Sequence, residues 1–475
     1  MLLIIFSSTL YASDTRLKAM GGMTYSVPDI YSKVNLYQFS GNIAGLKTND
    51  SKSWMYYSAN SYNNWGSLKR HWDANENQLH NISFSGLKHL GNNQVFYGYV
   101  KYNWDYRRDV TNAIEKEPYG IDPFVLADYT EGNFLYHGPK IFAAYNHTIS
   151  PSISWGIGLY YYINRGLKNI ATEPEIISRE INASLSFIYR LFPDVFLGLS
   201  IIPYQTQDIT KLVEQVDGLT PVTRRYRGEF LYREKTSKSD RNAVFEGYQI
   251  KPQIAYKNEY FENASYFNYF YQWHKIFDGT STHLFDGYFQ AQHFQFHTLT
   301  RFTLSPEYNS KLFIEYKFEN IYDWAKEPND ELLIFQAKGN SHRISFGGSS
   351  NISDLPLLGA IEFHADFNNP QKIDYLAHKD RKGMITNLLI KTGFEYRLNH
   401  NFDIRLGYIY QEYFENEIWN YFGDYNGSRL TFGSGWRFNH FEFDTFGEIG
   451  LLSGNSYSER SRTFLNVIIQ FKQYF

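Results

Sequence analysis

Apolar and polar residues alternate along extended segments that recur from about residue 53 to the end of the chain. In residues 384–398 the even positions are mainly apolar, as at Leu388 and Phe394, whereas several odd positions are charged, as at Lys391 and Glu395. Side chains on a β-strand point alternately to its two faces. The pattern therefore predicts many strands that each have one apolar and one polar face.

Short turns and longer polar connections separate these segments in alternation. The short turns are rich in Asn, Pro, Gly, Ser or Asp and lie at 91–93, 150–151, 192–194, 305–309, 399–401 and 439–440. The longer connections cover roughly 107–135, 165–177, 207–244, 322–340, 368–383 and 414–426. Short turns at one end and long loops at the other are typical of transmembrane β-barrels, whose periplasmic turns are the short ones.

The predicted fold class is therefore all-β, an antiparallel up-and-down transmembrane barrel of about 18 strands, with 16 or 14 strands as alternatives. An even number leaves both ends of the barrel sequence on the periplasmic side. The predicted strands are 53–60, 79–90, 94–106, 136–149, 152–164, 178–191, 195–206, 245–257, 262–275, 286–304, 310–322, 341–350, 358–367, 384–398, 402–414, 427–438, 441–452 and 462–475.

Two of the short turns predict the register of their strands. A three-residue turn at 399–401 places Leu398 opposite Phe402. Counting on from both turns then sets three pairs of opposite charge on the polar face: Arg397 with Asp403, Glu395 with Arg405, and Arg437 with Glu442. Opposite charges that face each other across strands stabilise a sheet.

Composition places this barrel in the outer membrane of a bacterium. Aromatic residues make up 19% of the chain, with 41 Tyr and 39 Phe, which suits a lipid-facing surface with aromatic girdles. Mean hydropathy is −0.46, and no run of about 18 apolar residues predicts a membrane-spanning helix. Cysteine is absent, which excludes thiolate sites, and a net charge of −3 gives no broad basic surface for nucleic acid.

The two ends of the chain predict export and membrane assembly. Residues 1–12 have the apolar core and small-residue end of a secretory signal peptide, residues 13–52 form a glycine-containing plug or periplasmic segment, and residues 53–475 form the barrel. The last strand ends in Phe471 and Phe475, an expected signal for the barrel assembly machinery. The other expected partners are outer-membrane lipid, lipopolysaccharide and an unidentified small-molecule substrate.

Charged residues of both signs are predicted to line the lumen, where they would either set the selectivity of a pore or pair to hold a closed lumen rigid. These pore-lining candidates are Lys311, Glu315, Lys317, Glu319, Glu362, His364, Asp366, Lys391, Glu395, Arg397, Asp403, Arg405, Arg429, Arg437, Glu442, Asp444 and Glu448.

Neither a metal site nor an enzyme is expected. His293 and His297 share one face of a strand, but four residues of strand span about 13 Å, too far for one ion. His364 lies beside Asp366 in sequence, and no serine can be placed near this pair to complete a hydrolase site. A basic stretch at 224–235 is predicted to be a solvated extracellular loop.

Residues 16–46 resemble the N-terminus of the long-chain fatty-acid transporter (FadL-type) superfamily of outer-membrane barrels. The resemblance rests on a Gly-Gly turn, an acidic residue and an Asn-x-Ala-Gly-Leu element, with Ile43 where the family usually has proline; the plug residues are Gly21, Gly22, Asp29, Asn42 and Gly45. It implies an N-terminal hatch in the lumen and uptake of small molecules, hydrophobic ones included.

Two functions follow from the sequence. The first is an outer-membrane channel or transporter for small molecules. The second is a non-conducting barrel that serves as a structural or assembly partner of a surface or secretion complex.

Overall fold

The computed structural model describes residues 15–27, 36–48, 52–70, 72–114, 123–170, 172–213, 222–228, 230–235, 240–279, 284–305, 307–329, 331–352, 355–416, 423–455 and 460–475. The predicted signal peptide and Asp29 lie outside these ranges. None of the helices within them has the length and apolar character needed to cross a membrane.

The described strands are β1 (Trp54–Gly66), β2 (Glu76–Gly91), β3 (Gln94–Val110), β4 (Leu126–Asp128), β5 (Gly132–Ser150), β6 (Ile153–Lys168), β7 (Thr172–Phe192), β8 (Val195–Val213), β9 (Thr223–Tyr226), β10 (Tyr232–Lys235), β11 (Arg241–Lys257), β12 (Phe261–Asp278), β13 (Leu284–Ser305), β14 (Ser310–Lys326), β15 (Leu333–Asn351), β16 (Leu357–Asp374), β17 (Lys379–Lys382), β18 (Ile385–Asn399), β19 (Phe402–Glu415), β20 (Tyr425–Phe438), β21 (Phe441–Gly454) and β22 (Ser461–Tyr474).

Eighteen of these strands form one closed antiparallel barrel, which confirms the predicted fold. Each strand pairs with its neighbours in chain order, and β1 pairs with both β2 and β22, so the sheet has no free edge. The other four strands are short and do not form part of the barrel wall. Strand β17 pairs only with the end of β16, and β4, β9 and β10 form a separate three-stranded sheet. The alternatives of 16 and 14 strands are wrong.

The outer surface of the barrel is apolar because every second side chain of each strand points away from the lumen. Leu406, Leu430 and Phe432 have 59%, 58% and 51% of their surface exposed, although each belongs to a strand that is paired on both sides. At the ends of the strands joined by short turns, the rings of Trp436 and Phe443 stack with centroids 5.2 Å apart. This surface suits lipid, with aromatic side chains at one interface.

A Leu406→Arg substitution near the middle of β19 is expected to lower the free energy of unfolding by about 2–4 kcal/mol, because it places a cation in the hydrocarbon. The matched control is Leu398→Arg at the end of β18, where the same change is expected to cost about 0–1 kcal/mol. Urea unfolding of the protein in lipid vesicles measures both values. Equal costs at the two depths would contradict a membrane-spanning barrel.

The predicted register of the three pairs of opposite charge is confirmed, and in one of them, Glu395 with Arg405, the side chains also form an ion pair. Arg397 pairs with Asp403 and Glu395 with Arg405 across β18 and β19, and Arg437 pairs with Glu442 across β20 and β21. The predicted pair of Leu398 with Phe402 is wrong. Asn399 takes that place, because the register shifts by one residue between Arg397 and Asn399 and leaves a two-residue turn.

Many strands are longer than predicted at the end opposite the short turns. β15 begins at Leu333 rather than residue 341, and β16 ends at Asp374 rather than residue 367. Beyond the bilayer both faces of a strand meet water, so the apolar alternation on which the prediction rests disappears there. We call this the extracellular end, in keeping with the layout of long and short connections.

The extracellular end is partly covered by a cap, which we define as residues 123–131, 222–228 and 230–235. The cap contains β4, β9 and β10. The ring of Phe124 fits against Gly287, where a Cβ atom would lie 2.2 Å from it. Arg225 forms an ion pair with Asp278 and is only 6% exposed. The prediction of a solvated loop at 224–235 is therefore wrong for Arg225.

Two short helices and a 3₁₀ turn precede β1. Helix α1 spans Thr15–Ala19, α2 spans Leu36–Ser40, and the 3₁₀ turn spans Ile43–Thr48. Gly21 and Gly22 have φ angles of 76° and 67°, left-handed values that residues with a Cβ rarely adopt. They end α1 with hydrogen bonds from the amide of Gly22 to the carbonyl of Lys18 and from Met23 to Leu17.

Candidate functional site in the barrel lumen

The N-terminal segment, which we define as residues 15–27 and 36–48, lies against the inner wall of the barrel. Wall glycines let it approach closely. A Cβ on Gly393 would lie 2.1 Å from the carbonyl oxygen of Met20, and one on Gly407 would lie 1.9 Å from the amide nitrogen of Gly21. Gly393 and Gly407 are directly paired across β18 and β19, so they form one flat patch on which the segment rests.

The second half of the segment touches the opposite side of the lumen. Ile43 and Leu46 pack in a cluster with wall residues of β1, β2, β3 and β5, including Tyr97. The Asn42 side-chain amide donates to Gln253 Oε1 at 2.7 Å, and Asn146 donates to the carbonyl of Ala44 at 3.0 Å. The segment therefore crosses the lumen rather than following one side of it.

A buried ionic network holds α1 to the wall. Arg16 binds Glu395 through two hydrogen bonds, Nε to Oε2 at 2.6 Å and Nη2 to Oε1 at 2.8 Å. Arg405 also binds Glu395, at 3.0 Å, together with Asp403 at 2.5 Å and Asp444 at 2.6 Å. Paired two-point contacts between arginine and carboxylate are among the strongest hydrogen bonds in proteins. This network therefore fixes the position of α1.

Glu362 holds the next part of the segment. Its two carboxylate oxygens accept hydrogen bonds from the backbone amides of Thr24, Tyr25 and Ser26 and from the hydroxyls of Thr24 and Ser26, at 2.7 to 3.1 Å. Lys391 Nζ lies 3.9 Å from the same carboxylate. Since Glu362 has no exposed surface, these donors replace the water that a carboxylate otherwise requires.

His364 does not pair with Asp366 as a catalytic dyad. Its Nδ1 lies 2.8 Å from Ser345 Oγ and its Nε2 lies 3.0 Å from Glu362 Oε2, whereas Asp366 is bound by Arg343. This Ser–His–Glu series resembles a hydrolase triad in its contacts. Ser345 has no exposed surface, however, and Glu362 is taken up by the segment, so a substrate cannot reach the hydroxyl.

The two other lumen histidines bind separate carboxylates. His293 Nε2 lies 2.8 Å from Asp323, and His297 Nε2 lies 2.7 Å from Glu315. Phe39 of α2 packs on His297 with ring centroids 4.5 Å apart. His297 thus belongs to the wall on which the N-terminal segment rests.

The remaining pore-lining candidates divide by their contacts. Arg429 lies 3.3 Å from Glu448, and Arg437 lies 3.4 Å from Asp403. Arg397, with its side chain 47% exposed, reaches Glu395 only at 3.8 Å. Three others are partly buried on the inner wall of β14 and β21: Lys311, Glu319 and Glu442. Lys317 and Glu319 line a cavity that is described below.

Several residues that bind the segment escaped the sequence analysis. Thr431 Oγ1 donates to the carbonyl of Ala19 at 2.8 Å and accepts from the amide of Gly21 at the same distance. Gln253, Asn146 and Ser349 also bind the segment. These uncharged polar residues look like any inward-facing position of a strand. No pattern in the sequence distinguishes them.

In a closed cylinder of strands, every backbone N–H and C=O group within the bilayer is hydrogen-bonded to a neighbouring strand. Closed barrels and α-helices are the only two structures that meet this requirement of the bilayer. The fold and the lumen together define a transmembrane β-barrel of the bacterial outer-membrane type. No protein-family model and no curated protein matches the chain.

Solved structures to which the chain is similar include outer-membrane transporters and receptors. The toluene transporter TbuX of Ralstonia pickettii has 10% identity and a TM-score of 0.37, over 97% of this chain and 98% of that one. The toluene transporter TodX of Pseudomonas putida has 12% identity and a TM-score of 0.35 over the same shares. The ferripyoverdine receptor of Pseudomonas aeruginosa has 7% identity and a TM-score of 0.44, over 88% of this chain and 72% of that one.

Proposed function

We propose that the chain is an outer-membrane transporter for small molecules, in which the N-terminal segment serves as a hatch. The observation that carries the proposal is how the segment crosses the lumen: hydrogen bonds and ion pairs centred on Glu362 and Glu395 hold it, together with apolar packing at both ends. Barrels of 16 to 18 strands are wide enough to leave an aqueous channel. Removal of such a segment from a barrel of this size would leave an open path.

The polar contacts matter for a hatch because they can be exchanged for others. The apolar side chains of the segment, such as Met20 and Leu46, can leave the wall only by exposing apolar surface to water, at about 25 cal/mol per Å². The hydrogen bonds and ion pairs can be exchanged for bonds to water when the segment is released, which offsets part of their loss. The segment is thus firmly docked, and release requires that the contacts of Glu362 and Glu395 be broken.

The resemblance of residues 16–46 to FadL-type transporters supports the same function. The elements that carry it lie at contact points: Gly21 against Gly407, and Asn42 against Gln253. In that family, and in the toluene transporters named above, hydrophobic molecules are the cargo. The charged inner wall of this chain favours polar solutes instead.

The alternative proposal is a non-conducting barrel with a structural role. The observation in its favour is the number of ion pairs that rigidify the lumen, the Arg405 network above all. Planar-bilayer conductance separates the two proposals. Deletion of residues 15–48 is expected to turn a closed or briefly opening barrel into a steadily conducting pore. A correctly folded deletion variant that does not conduct would favour the structural role.

A reversible lock provides the matched control. Because the chain has no cysteine, a disulfide between Ala19→Cys and Gly433→Cys would be its only one. A Cβ on Gly433 would lie 2.7 Å from Ala19 Cβ and 2.4 Å from the carbonyl oxygen of Thr445, so both α1 and the wall must shift to give the roughly 3.8 Å that a disulfide needs. The oxidised double variant is expected to stay closed and to regain the original conductance on reduction, whereas the two single variants should not respond to reductant.

Phe471 and Phe475 remain proposed parts of an assembly signal. β22 closes the barrel against β1, and the amide of Phe475 donates to the carbonyl of Ser53 at 2.9 Å. The apolar outer face proposed to contact lipid continues to this point, where Phe475 is 58% exposed. Recognition by the assembly machinery would take place before this strand is sealed, and lipopolysaccharide is the proposed neighbour at the opposite end.

A further inference from the structure

A cavity of about 410 Å³ opens in the extracellular half of the lumen. Its wall follows the register of six neighbouring strands. One row of directly paired residues lines it, running from Lys317 on β14 to Tyr425 on β20 through Arg343, Asp366, Asn387 and Tyr413. The next row adds Glu319, Ser341 and Asn368. Sites for small molecules are typically about 300–1,000 Å³, so the cavity has the size of such a site.

Most polar groups of the first row bind each other. Arg343 binds Asp366 at 2.5 and 3.1 Å, Asn387 donates to Asp366 at 3.2 Å, and Gln411 donates to Asn387 at 2.9 Å. These bonds form a rigid polar surface whose charges already cancel. This surface therefore has no unpaired charge to offer a ligand. The charged groups of a ligand must be bound by other residues of the cavity.

Lys317 and Glu319 are the exceptions. Both line the cavity, yet neither makes a hydrogen bond or an ion pair with any residue in the part of the chain that the structure describes. They lie two positions apart on one face of β14, a Cα separation of about 6.6 Å. The cavity therefore offers one ammonium group and one carboxylate group side by side.

We propose that this cavity binds a zwitterionic solute of dipeptide size, with its carboxylate on Lys317 and its ammonium group on Glu319. Two residues of extended chain span about 7 Å, which matches the separation of the two charged side chains. Ser341 and Asn368, which line the cavity in the row of Glu319, can bind the peptide group between the ends. A hydrocarbon would leave Lys317 and Glu319 desolvated and unpaired, and would be rejected for that reason.

This inference deepens the proposed function and rests on it only for the passage of the solute. Calorimetry on the purified full chain in detergent tests the binding step. The probes are alanylalanine, its C-terminal amide and its N-acetyl derivative. The free dipeptide is expected to bind at least about tenfold more tightly than either capped form, since each capped form loses one charge-assisted contact.

Two substitutions assign each end of the ligand. Lys317→Gln is expected to abolish the preference for the dipeptide over its amide and to keep the preference over the acetylated form. Glu319→Gln is expected to do the reverse. Lys101→Gln on β3 and Glu180→Gln on β7 are matched controls, because both face the lumen outside the cavity lining, and they should leave all three affinities unchanged.

A charge-reversed double variant guards against misfolding of the single ones. Lys317→Glu with Glu319→Lys is expected to bind the dipeptide again, with the ligand turned round. Absence of dipeptide binding to the folded wild-type chain would overturn the inference, as would preferences that do not change in the two Gln variants.

Flux measurements separate this inference from the proposed function. Vesicles that contain the variant lacking residues 15–48 are expected to admit alanylalanine faster than its two capped forms. A conducting pore with no such preference would overturn the inference alone. Binding of the dipeptide by a barrel that never conducts would overturn the transport proposal and leave the site in place.

Discussion

A Glu362→Ala variant is expected to release the N-terminal segment from its wall and to raise the conductance of the barrel. Glu362 accepts bonds from three consecutive backbone amides and two hydroxyls of the segment, and the substitution leaves all these donors without a partner. Lys391 loses its carboxylate neighbour as well. Loss of one partner of a buried ionic cluster typically costs about 3–5 kcal/mol. A loss of that size lowers the ratio of docked to released segment by a factor of roughly 10² to 10⁴.

Two measurements check this prediction. Single-channel recordings should show long openings in the variant. Trypsin should cut the variant after Arg16 or Lys18, because these residues are buried and half-buried, respectively, while the segment is docked. Glu448→Ala is the control, because Glu448 faces the same lumen but binds Arg429 rather than the segment. A folded Glu362→Ala barrel with unchanged conductance and unchanged cleavage would show that this carboxylate is not what holds the segment.

Arg405→Met is expected to be strongly destabilising. The Arg405 side chain is 1% exposed and binds Glu395, Asp403 and Asp444. Without it, three carboxylates remain close together, balanced by Arg16, Arg437 and the more distant Arg397. Since methionine fills much of the same volume, the cost is electrostatic and is expected to be about 3–5 kcal/mol.

The free energy of unfolding in urea, measured in lipid vesicles, gives this cost directly. Arg397→Met is the matched control, because Arg397 is 47% exposed in its side chain and approaches Glu395 only at 3.8 Å. Exposed pairs of this kind contribute about 0–1 kcal/mol. Similar losses in the two variants would mean that the buried network contributes no more than an ordinary surface pair.

The barrel could be predicted because alternation is a local property. Each strand shows by itself which side chains face lipid, and a short turn then sets the partner of every residue next to it. That is how the pair of Glu395 with Arg405 follows from residues 399–401 alone. The one-residue error at Leu398 arose because a register shift beside a turn leaves no mark on the pattern of apolar positions.

The contacts across the lumen could not be predicted in this way. Arg16 meets Glu395, and Ser26 meets Glu362, over more than 300 residues of sequence. Alternation shows that Glu362 and Glu395 face inward, but it does not show what lies opposite them at the same height. The same holds for Arg225. Its basic neighbours predicted a solvated loop, whereas its carboxylate partner, Asp278, lies on β12, far from it in the sequence.

The way the segment is shared between distant strands has a consequence for biogenesis. Residues 43–48 rest on β5, β6 and β7, α2 rests on β11 and β12, and α1 rests on β19, β20 and β21. These contact sites lie on different sides of the cylinder, so they can all be occupied together only when β1 has joined β22. Full docking of the leading peptide is therefore expected to mark the completion of assembly.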